Sequence, residues 1–353
     1  MPKIIFPKII FMKHILNTLY ITSENSYLFW ENECIAVRIG GAEKVRIPSH
    51  TLDSIVCFGN CTVSTPLIRF CGEHNIALTF LSEHGMFYGR VYGPVTGNVL
   101  LRQKQFISST DQNFSLQIVS NILIGKLLNE KNMLLRAARG NIPTQNQEHL
   151  RKGAAQIADL AKSLTLAESV DALRGIEGAA AKIYFACFDD MLHAKDASLK
   201  FIIRSRRPPQ NEVNAVLSFL YALLKNDVQS ALETVGLDPA CGYLHCLRSG
   251  RPALALDMME ELRTPLCDRL AISLFDRGQL QTKDFSKELG ECRIEADTRK
   301  KIISAWQARK QETIVHPFLQ EKIEIGLIPF VQAQLLARVL RGDLDEYPPM
   351  IWR

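Results

Sequence analysis

Long apolar runs are missing from this sequence of 353 residues. No stretch reaches the roughly 18–20 apolar residues that a membrane-spanning helix needs, so we predict no membrane contact and a cytoplasmic location. The opening MPKIIFPKIIFMKHIL is basic and apolar, but Pro2 and Pro7 interrupt it and it lacks a small-residue cleavage site, so it is a poor signal peptide. Because PKIIF occurs twice before Met12, we predict that residues 1–11 are an upstream extension of the fold.

Paired cysteines and a strong excess of one charge are lacking as well. The nine cysteines contain no C-x-x-C motif, and the nearest pair, Cys57 and Cys61, has no second pair to complete a zinc site. We therefore expect reduced thiols that pack as small hydrophobic side chains. The net charge is only +5, so the distribution of charge is more informative than its sum.

The pattern of apolar residues changes once along the chain. Up to about Phe106, short runs such as YLFW, CIAVRI and SIVCF are rich in β-branched and aromatic residues and are separated by turns, with one helix at TPLIRFCGEHN. From residue 107 onward, apolar residues recur mostly at helical spacing. We predict an α+β protein: a β-sandwich-like domain at 12–106 and a larger all-α domain at 107–353, in which the tail Asp343–Arg353 is mobile or docks on a partner.

Basic residues are concentrated in two places. Residues 101–152 hold eight lysines and arginines against three acids, and residues 200–207 hold Lys200, Arg204, Arg206 and Arg207 with no acid. Such clusters are commonly solvated faces, but guanidinium groups match the geometry of phosphates, and the arginine bias of the second cluster favours a nucleic-acid surface.

The segment YLHCLRSGRPALALDMMEELR combines acids, a histidine and an apolar run. Pro252 suits the first position of a helix, which would place Asp257 and Glu260 on one face beside a core, with Glu261 and Arg263 turned away from Glu260. Carboxylates beside a core need a cation between them, and His245 could add a nitrogen ligand, a donor set that suits Mg²⁺ or Mn²⁺. The alternative is that both acids are solvated and favoured by the helix dipole.

A second segment, LRGIEGAAAKIYF, places Glu177 next to a run of small residues. We expect Gly178 and the three alanines after it to let another helix approach closely, which would leave Glu177 in need of a partner. Tyr184 lies two turns further along the helix, where it could contact a nucleotide or belong to the core. Three potential ligands from two segments would complete one site.

These segments together resemble the CRISPR-associated integrase family, the first-named Cas proteins, and most closely those of type I systems. The resemblance covers the chain from Met12. It rests on VSTPLIRFCGEHNIALTFL, GNVLLRQKQF, IEGAAAKIYF, RSRRPPQNEVNAVLSFLYALL and GLDPACGYLHCLRSGRPALALDMMEELR. It implies a metal-dependent endonuclease and integrase of antiviral defence, in which a DNA 3′-hydroxyl attacks a phosphodiester at the CRISPR repeat.

The resemblance also implies roles for individual residues. Glu177, His245 and Glu260 would be catalytic and would hold Mg²⁺ or Mn²⁺, with Asp257 either ligating or supporting the metal. Six arginines would contact DNA: Arg102, Arg204, Arg206, Arg207, Arg248 and Arg251. Family members form homodimers that join a small second Cas protein, and their DNA partners are the spacer precursor and the repeat. Two alternatives are a branched-DNA nuclease without strand transfer and a non-catalytic DNA-binding scaffold.

Overall fold

A β-sandwich followed by a helical domain makes up the protein, as the sequence predicts. The computed structural model describes residues 18–52, 54–82, 87–91, 93, 99–194, 196, 198–288 and 290–352. The predicted extension at 1–11 lies outside these residues. No helix among them is both long and apolar enough to cross a membrane.

The sandwich consists of two four-stranded sheets. Its strands are β1 Thr18–Ile21, β2 Ser26–Glu31, β3 Cys34–Ile39, β4 Ala42–Pro48, β5 Ser54–Phe58, β6 Cys61–Val63, β7 Ala77–Leu81 and β8 Phe87–Val91. The orders are β1-β5-β7-β8 and β4-β3-β2-β6. Helix α1, Thr65–Glu73, links β6 to β7 and begins where the Ser64 hydroxyl accepts a hydrogen bond from the Leu67 amide. Leu67 and Cys71 of this helix join the core between the two sheets.

Strand β5 is buried on both faces, and this joins the sandwich to the helical domain. Because successive side chains of a strand point to opposite faces, Ile55 and Cys57 enter the sandwich core. Val56 and Phe58 enter the core of the helical domain. The Phe58 ring lies 6.0 Å from that of Phe219. One sheet therefore serves as a wall of both cores.

Helix α2 spans the predicted domain boundary. The main helices of the second domain are α2 Val99–Thr110, α3 Gln112–Ala137, α4 Thr144–Ser163, α5 Val170–Ala186, α6 Glu212–Val235, α7 Ala253–Met258, α8 Glu260–Leu262, α9 Arg269–Asp276, α10 Ala296–Gln311 and α11 Ile328–Arg341. A wide π turn, Arg263–Asp268, separates α8 from α9. Because residue 106 falls inside α2 and Leu101 joins the helical core, we propose a domain boundary before Val99.

Caps account for where several of these helices begin. Asp111, Ser169 and Asn211 accept backbone N–H groups at the first turns of α3, α5 and α6. Gly236 ends α6 in the left-handed conformation, with a φ of +89°. The local sequence therefore specifies the ends of the helices on which the site is built.

Two features of the C-terminal half differ from the prediction. Short hairpins are inserted between the helices: β9 Phe285–Glu288 with β10 Glu291–Ile294, and β11 Thr313–Val315 with β12 Lys322–Glu324. The prediction of a mobile or partner-bound tail is wrong, because Tyr347 and Met350 are only 1% exposed within this chain. The expectation that the cysteines pack as small hydrophobic side chains holds for the six that are buried, but Cys246 is exposed.

Arg90 on β8 ties the sandwich to α6. Its guanidinium donates to Glu233 at 2.6 Å and to Ser230 Oγ at 2.5 Å, and its Nε donates to Thr79 Oγ1 at 3.1 Å. The Arg90 side chain is 1% exposed, so these bonds replace its hydration.

We predict that Arg90→Met lowers the free energy of unfolding by about 3 kcal/mol, because Glu233 and two hydroxyl groups lose a buried donor. Urea unfolding monitored by circular dichroism measures the change. The matched control is Arg69→Met, which breaks the exposed Arg69–Glu73 pair of α1 and should leave the urea midpoint unchanged. Equal midpoints for the two variants would contradict the assigned role of Arg90.

Candidate functional site

Two acids from distant segments meet at one lysine in the helical domain. Lys126, on α3, donates to Glu177 Oε1 of α5 and, at 2.9 Å, to Glu260 Oε2 of α8. The lysine side chain is 5% exposed and that of Glu260 is 3% exposed, whereas Glu177 is 27% exposed. The two predicted acids thus converge, and a cation already stands between them.

The charge of Lys126 is maintained by its neighbours. Burial by itself would lower the pKa of this ammonium, but the nearby carboxylates, Glu260 foremost, raise that pKa above its usual value. In the sequence, Lys126 is merely one of the eight basic residues of 101–152. A single lysine within the apolar stretch ILIGKLL is the signal that could have identified it, since a buried lysine requires anionic partners.

Arg263 provides a second cation for Glu260. Its guanidinium lies 2.9 Å from Glu260 Oε1, so the expectation that Arg263 turns away from Glu260 is wrong. The two residues are three positions apart in right-handed helical backbone, a spacing that places their side chains on the same face. Burial would raise the pKa of Glu260, but Arg263 and Lys126 lower that pKa to about 2. Glu260 is therefore a carboxylate at neutral pH.

His245 faces Glu260 from the loop that precedes α7. Its Nε2 lies 4.0 Å from Glu260 Oε1, and its Nδ1 lies 2.6 Å from Asp257 Oδ1. Because the carboxylate of Asp257 can only accept, Nδ1 carries the proton of the neutral ring, and the Nε2 lone pair faces Glu260.

Asp257 supports this loop from inside the protein. Its Oδ2 accepts the amides of Tyr243 and Leu244 at 2.6 and 2.9 Å, and its Oδ1 accepts the amide of His245 at 2.9 Å. The chain can pass this close only because residue 242 is glycine: an added Cβ would lie 2.6 Å from Asp257 Oδ2. With both oxygens engaged and the side chain fully buried, Asp257 is placed to orient His245 rather than to ligate.

The donors fit a divalent cation, although a lysine stands among them. Among the described residues, no group of three or more histidines, cysteines and acids is arranged to hold a metal ion as it stands. Glu177 and Glu260 nevertheless share the Lys126 ammonium, and His245 Nε2 lies 4.0 Å from the other carboxylate oxygen of Glu260. Two carboxylates and one imidazole nitrogen are donor types that suit Mg²⁺ or Mn²⁺.

Further buried polar groups continue from this site. Asp268 accepts the hydroxyls of Tyr184 at 3.0 Å and Tyr221 at 2.7 Å, so Tyr184 is a core tyrosine and not a nucleotide contact. Burial raises the pKa of Glu130 to about 8, even though Lys126 lowers it, and Glu130 Oε2 has no hydrogen-bond partner. These residues line a cavity of about 10 Å³, the size of one water molecule.

A cleft of about 1620 Å³ lies next to the site, and basic side chains are prominent along its wall. Five of the six predicted DNA-binding arginines line it, namely Arg102, Arg206, Arg207, Arg248 and Arg251. Arg206 also lines the small cavity beside Lys126, so the cleft and the acids are neighbours. The arrangement places positive charge along the wall of the cleft.

Arg204 does not line the cleft. Its guanidinium donates to Asn214 Oδ1 at 2.8 Å and Ser218 Oγ at 3.1 Å, and it lies 5.4 Å from the Tyr221 ring. Its two terminal nitrogens donate to its own chain and hold the 200–210 loop on α6, while its buried Nε has no partner. We therefore propose a structural role for Arg204 in place of the predicted DNA contact.

The expectation of a close helix contact at Gly178 and the three alanines after it holds only in part, because Ala180 is fully buried in the helical core whereas Gly178 and Ala179 are exposed. Gly178 is exposed, and an added Cβ there would meet no atom within 4 Å. The partner that Glu177 needs is Lys126, which reaches it from the side.

The fold and the site define a class: a β-sandwich joined to a helical domain that carries a candidate divalent-cation centre beside an arginine-lined cleft. A sequence profile described as CRISPR associated protein Cas1 matches residues 19–308. The CRISPR-associated endonuclease Cas1 1 of Chlorobaculum tepidum is 46% identical over 343 residues, which cover 97% of this chain and all of that protein. The CRISPR-associated endonuclease Cas1 1 of Moorella thermoacetica is 45% identical over 343 residues, which again cover 97% of this chain and all of that protein. The chain belongs to the Cas1 family.

Solved structures show the same fold. A CAS1 protein from Thermotoga maritima superposes with a TM-score of 0.80 at 23% identity, covering 92% of this chain and 97% of that one. A casposase bound to integration product superposes with a TM-score of 0.79 at 20% identity, covering 96% and 95% of the two chains.

We predict that Lys126→Met lowers the free energy of unfolding of the metal-free protein by about 3 kcal/mol, because Glu260 and Glu177 lose their shared cation. Added Mn²⁺ should raise the melting temperature of this variant more than that of the wild type, since the ion no longer competes with an ammonium. Differential scanning fluorimetry with and without Mn²⁺ measures both effects.

The control for that experiment is Lys310→Met, which removes another buried lysine, paired with Asp227 at 3.0 Å. It should lose comparable stability, and Mn²⁺ should raise its melting temperature only as much as that of the wild type. An equal response of the two variants to Mn²⁺ would show that the Lys126 position is not a cation site.

Proposed function

We propose that this protein joins short DNA fragments to a CRISPR array, by attack of a DNA 3′-hydroxyl on a phosphodiester, at a divalent ion held by Glu177, His245 and Glu260. The observation that carries the proposal is the convergence of two carboxylates on one cation, with His245 Nε2 4.0 Å from Glu260 Oε1. Membership of the Cas1 family and the shared fold with a casposase bound to integration product support it.

The donor set suits phosphodiester chemistry. When bound, a divalent ion polarises the phosphate under attack and lowers the pKa of the attacking hydroxyl. Asp257 keeps the Nε2 lone pair of His245 directed at the site, since Nδ1 is committed to Oδ1. Glu260 enters as an anion because Arg263 and Lys126 keep its pKa low.

Lys126 and Arg263 have a second role in this proposal. A phosphodiester brings negative charge to a place where two carboxylates already stand, and the two buried cations offset that repulsion. Lys126, on its flexible side chain, is suited to move from the carboxylates to a phosphate oxygen when an ion takes its place.

The cleft is the proposed path of the DNA. Arg206 and Arg207 are exposed at its edge, Arg248 and Arg251 belong to the loop that carries His245, and Arg102 lies on α2. Phosphate contacts from these side chains would orient the backbone without reading its sequence. We further propose that the protein binds a small Cas2 protein, because one structure of this fold is a Cas6-RT-Cas1–Cas2 complex. A homodimer is proposed from the family resemblance alone.

We predict that Glu177→Gln and Glu260→Gln each reduce Mn²⁺-dependent strand transfer by at least about 100-fold, because each loses a negatively charged ligand without losing volume. The assay follows a short duplex with a free 3′-hydroxyl as it joins supercoiled DNA that carries a repeat array. Asp159→Asn, an exposed change on α4, is the control and should keep wild-type activity.

The integrase, the plain nuclease and the scaffold give different products in that assay. Joined DNA that EDTA abolishes supports the proposal, whereas nicked DNA without joining indicates a plain nuclease. Binding without cleavage, in a folded protein with Mn²⁺ present, indicates a scaffold. Wild-type rates in both glutamine variants would reject the proposed metal ligands.

We predict that Arg206→Ala combined with Arg207→Ala weakens binding of duplex DNA and reduces the slope of log K against log salt concentration by about 2, roughly 1 for each phosphate that the protein no longer neutralises. Fluorescence anisotropy at several salt concentrations measures the slope. The control is Arg277→Ala combined with Arg338→Ala, which removes equal charge outside the cleft. Equal slopes for the two double variants would remove Arg206 and Arg207 from the DNA interface.

A further inference from the structure

The last residues of the chain lie against the site, and we define residues 347–352 as the C-terminal strap. Tyr347 and Met350 are each 1% exposed, and Trp352 lies against the guanidinium of Arg309, 5.2 Å from ring centroid to carbon. The other three residues of the strap are two prolines and an isoleucine, so it has few polar side chains of its own. It is anchored instead through its main chain and one hydroxyl.

The strap surrounds the carboxylate of Glu261, the residue that follows the proposed ligand Glu260. The Tyr347 hydroxyl donates to Glu261 Oε1 at 2.5 Å, and the Met350 amide donates to Oε2 at 2.8 Å. Gln332, on α11, donates to Oε1 at 2.9 Å. Glu261 is fully buried, so these bonds take the place of solvent.

The same strap also binds α3, the helix that carries Lys126. Asn129 donates to the carbonyls of Met350 at 2.7 Å and Glu261 at 2.8 Å, and it accepts the Trp352 amide at 2.6 Å. The strap and Glu261 come so close to α3 that a Cβ added at Gly125 would lie 3.0 Å from Pro349 Cβ and 2.9 Å from Glu261 Oε2.

Glu260 and Glu261 are consecutive residues of the short helix α8, between the end of α7 at Met258 and the π turn that begins at Arg263. The backbone therefore links the position of one directly to that of the other. The side chain of Glu260 faces Lys126 and Arg263, whereas that of Glu261 faces the strap. Holding Glu261 therefore holds Glu260.

We propose that the C-terminal strap is a positioning element of the metal centre: through Glu261 it sets the position of Glu260 relative to Glu177 and His245, and so the affinity for a divalent ion. This inference rests on the metal site of the proposed function. Tyr347 is a positioning residue, since it touches Glu261 and not the site itself.

Two substitutions of Tyr347 separate positioning from packing. Tyr347→Phe removes only the hydroxyl that reaches Glu261, and Tyr347→Ala removes the ring as well. A packing role predicts that phenylalanine restores wild-type behaviour, whereas a positioning role predicts that both variants bind the ion more weakly. We expect about 10-fold weaker Mn²⁺ binding for Tyr347→Phe, the usual loss when a residue behind a ligand is changed.

Isothermal titration calorimetry with Mn²⁺ alone, on full-length protein, measures the dissociation constant. Leu344→Ala is the control: Leu344 precedes the strap and packs against the helical core, so this change should lower the melting temperature without changing the affinity for Mn²⁺. The Glu260→Gln variant is titrated in parallel, and the heat that it loses relative to the wild type identifies Mn²⁺ binding at the proposed site.

The outcomes distinguish failure of the strap's role from failure of the metal site. Weaker binding by Tyr347→Phe, with Leu344→Ala unchanged, supports the inference. A wild-type dissociation constant for Tyr347→Phe, or an equal loss in Leu344→Ala, overturns it and leaves the metal site standing. Absence of Mn²⁺ binding by the wild-type protein, or binding that Glu260→Gln does not alter, overturns the proposed site together with the inference.

Discussion

The charge balance around Lys126 is the interaction on which the rest of the site depends. Two carboxylates from α5 and α8 cannot approach each other away from water unless a cation offsets both, and Lys126 and Arg263 supply that charge inside the protein. The three segments involved are far apart in the chain, so their meeting requires the helical core to be assembled. The two cations thus hold Glu177 and Glu260 close together within the assembled helical domain.

Buried carboxylates hold the backbone on both sides of this site. The loop before α7 wraps three amides around Asp257 and presents His245, while Glu261 accepts the Tyr347 hydroxyl and the Met350 amide. Asp257 and Glu261 thus stand directly behind His245 and Glu260, two of the residues that we propose as metal ligands.

The sequence predicted the order of the two domains and the approach of Glu177 and of His245 to Glu260, because strand and helix periodicity and local donor chemistry can be read from neighbouring residues. The role of these three residues as metal ligands stays a prediction. It could not predict partners that only the tertiary fold creates. Lys126 looked like one more surface charge, and Arg204 looked like its exposed neighbours Arg206 and Arg207 until Asn214 and Ser218 were seen to receive its donors. The tail looked unattached because its anchors, Asn129 and Glu261, lie far away in the chain.

Strand β5 has a consequence for how the molecule assembles. Its alternate residues supply two different cores, so a one-residue error in its pairing with β1 or β7 would send Val56 and Phe58 into the sandwich and Ile55 and Cys57 toward the helices. Such a slip could not be confined to one domain. Both halves of the chain can therefore fold correctly only if this single strand is paired in the correct register, which links the folding of the sandwich to that of the helical domain.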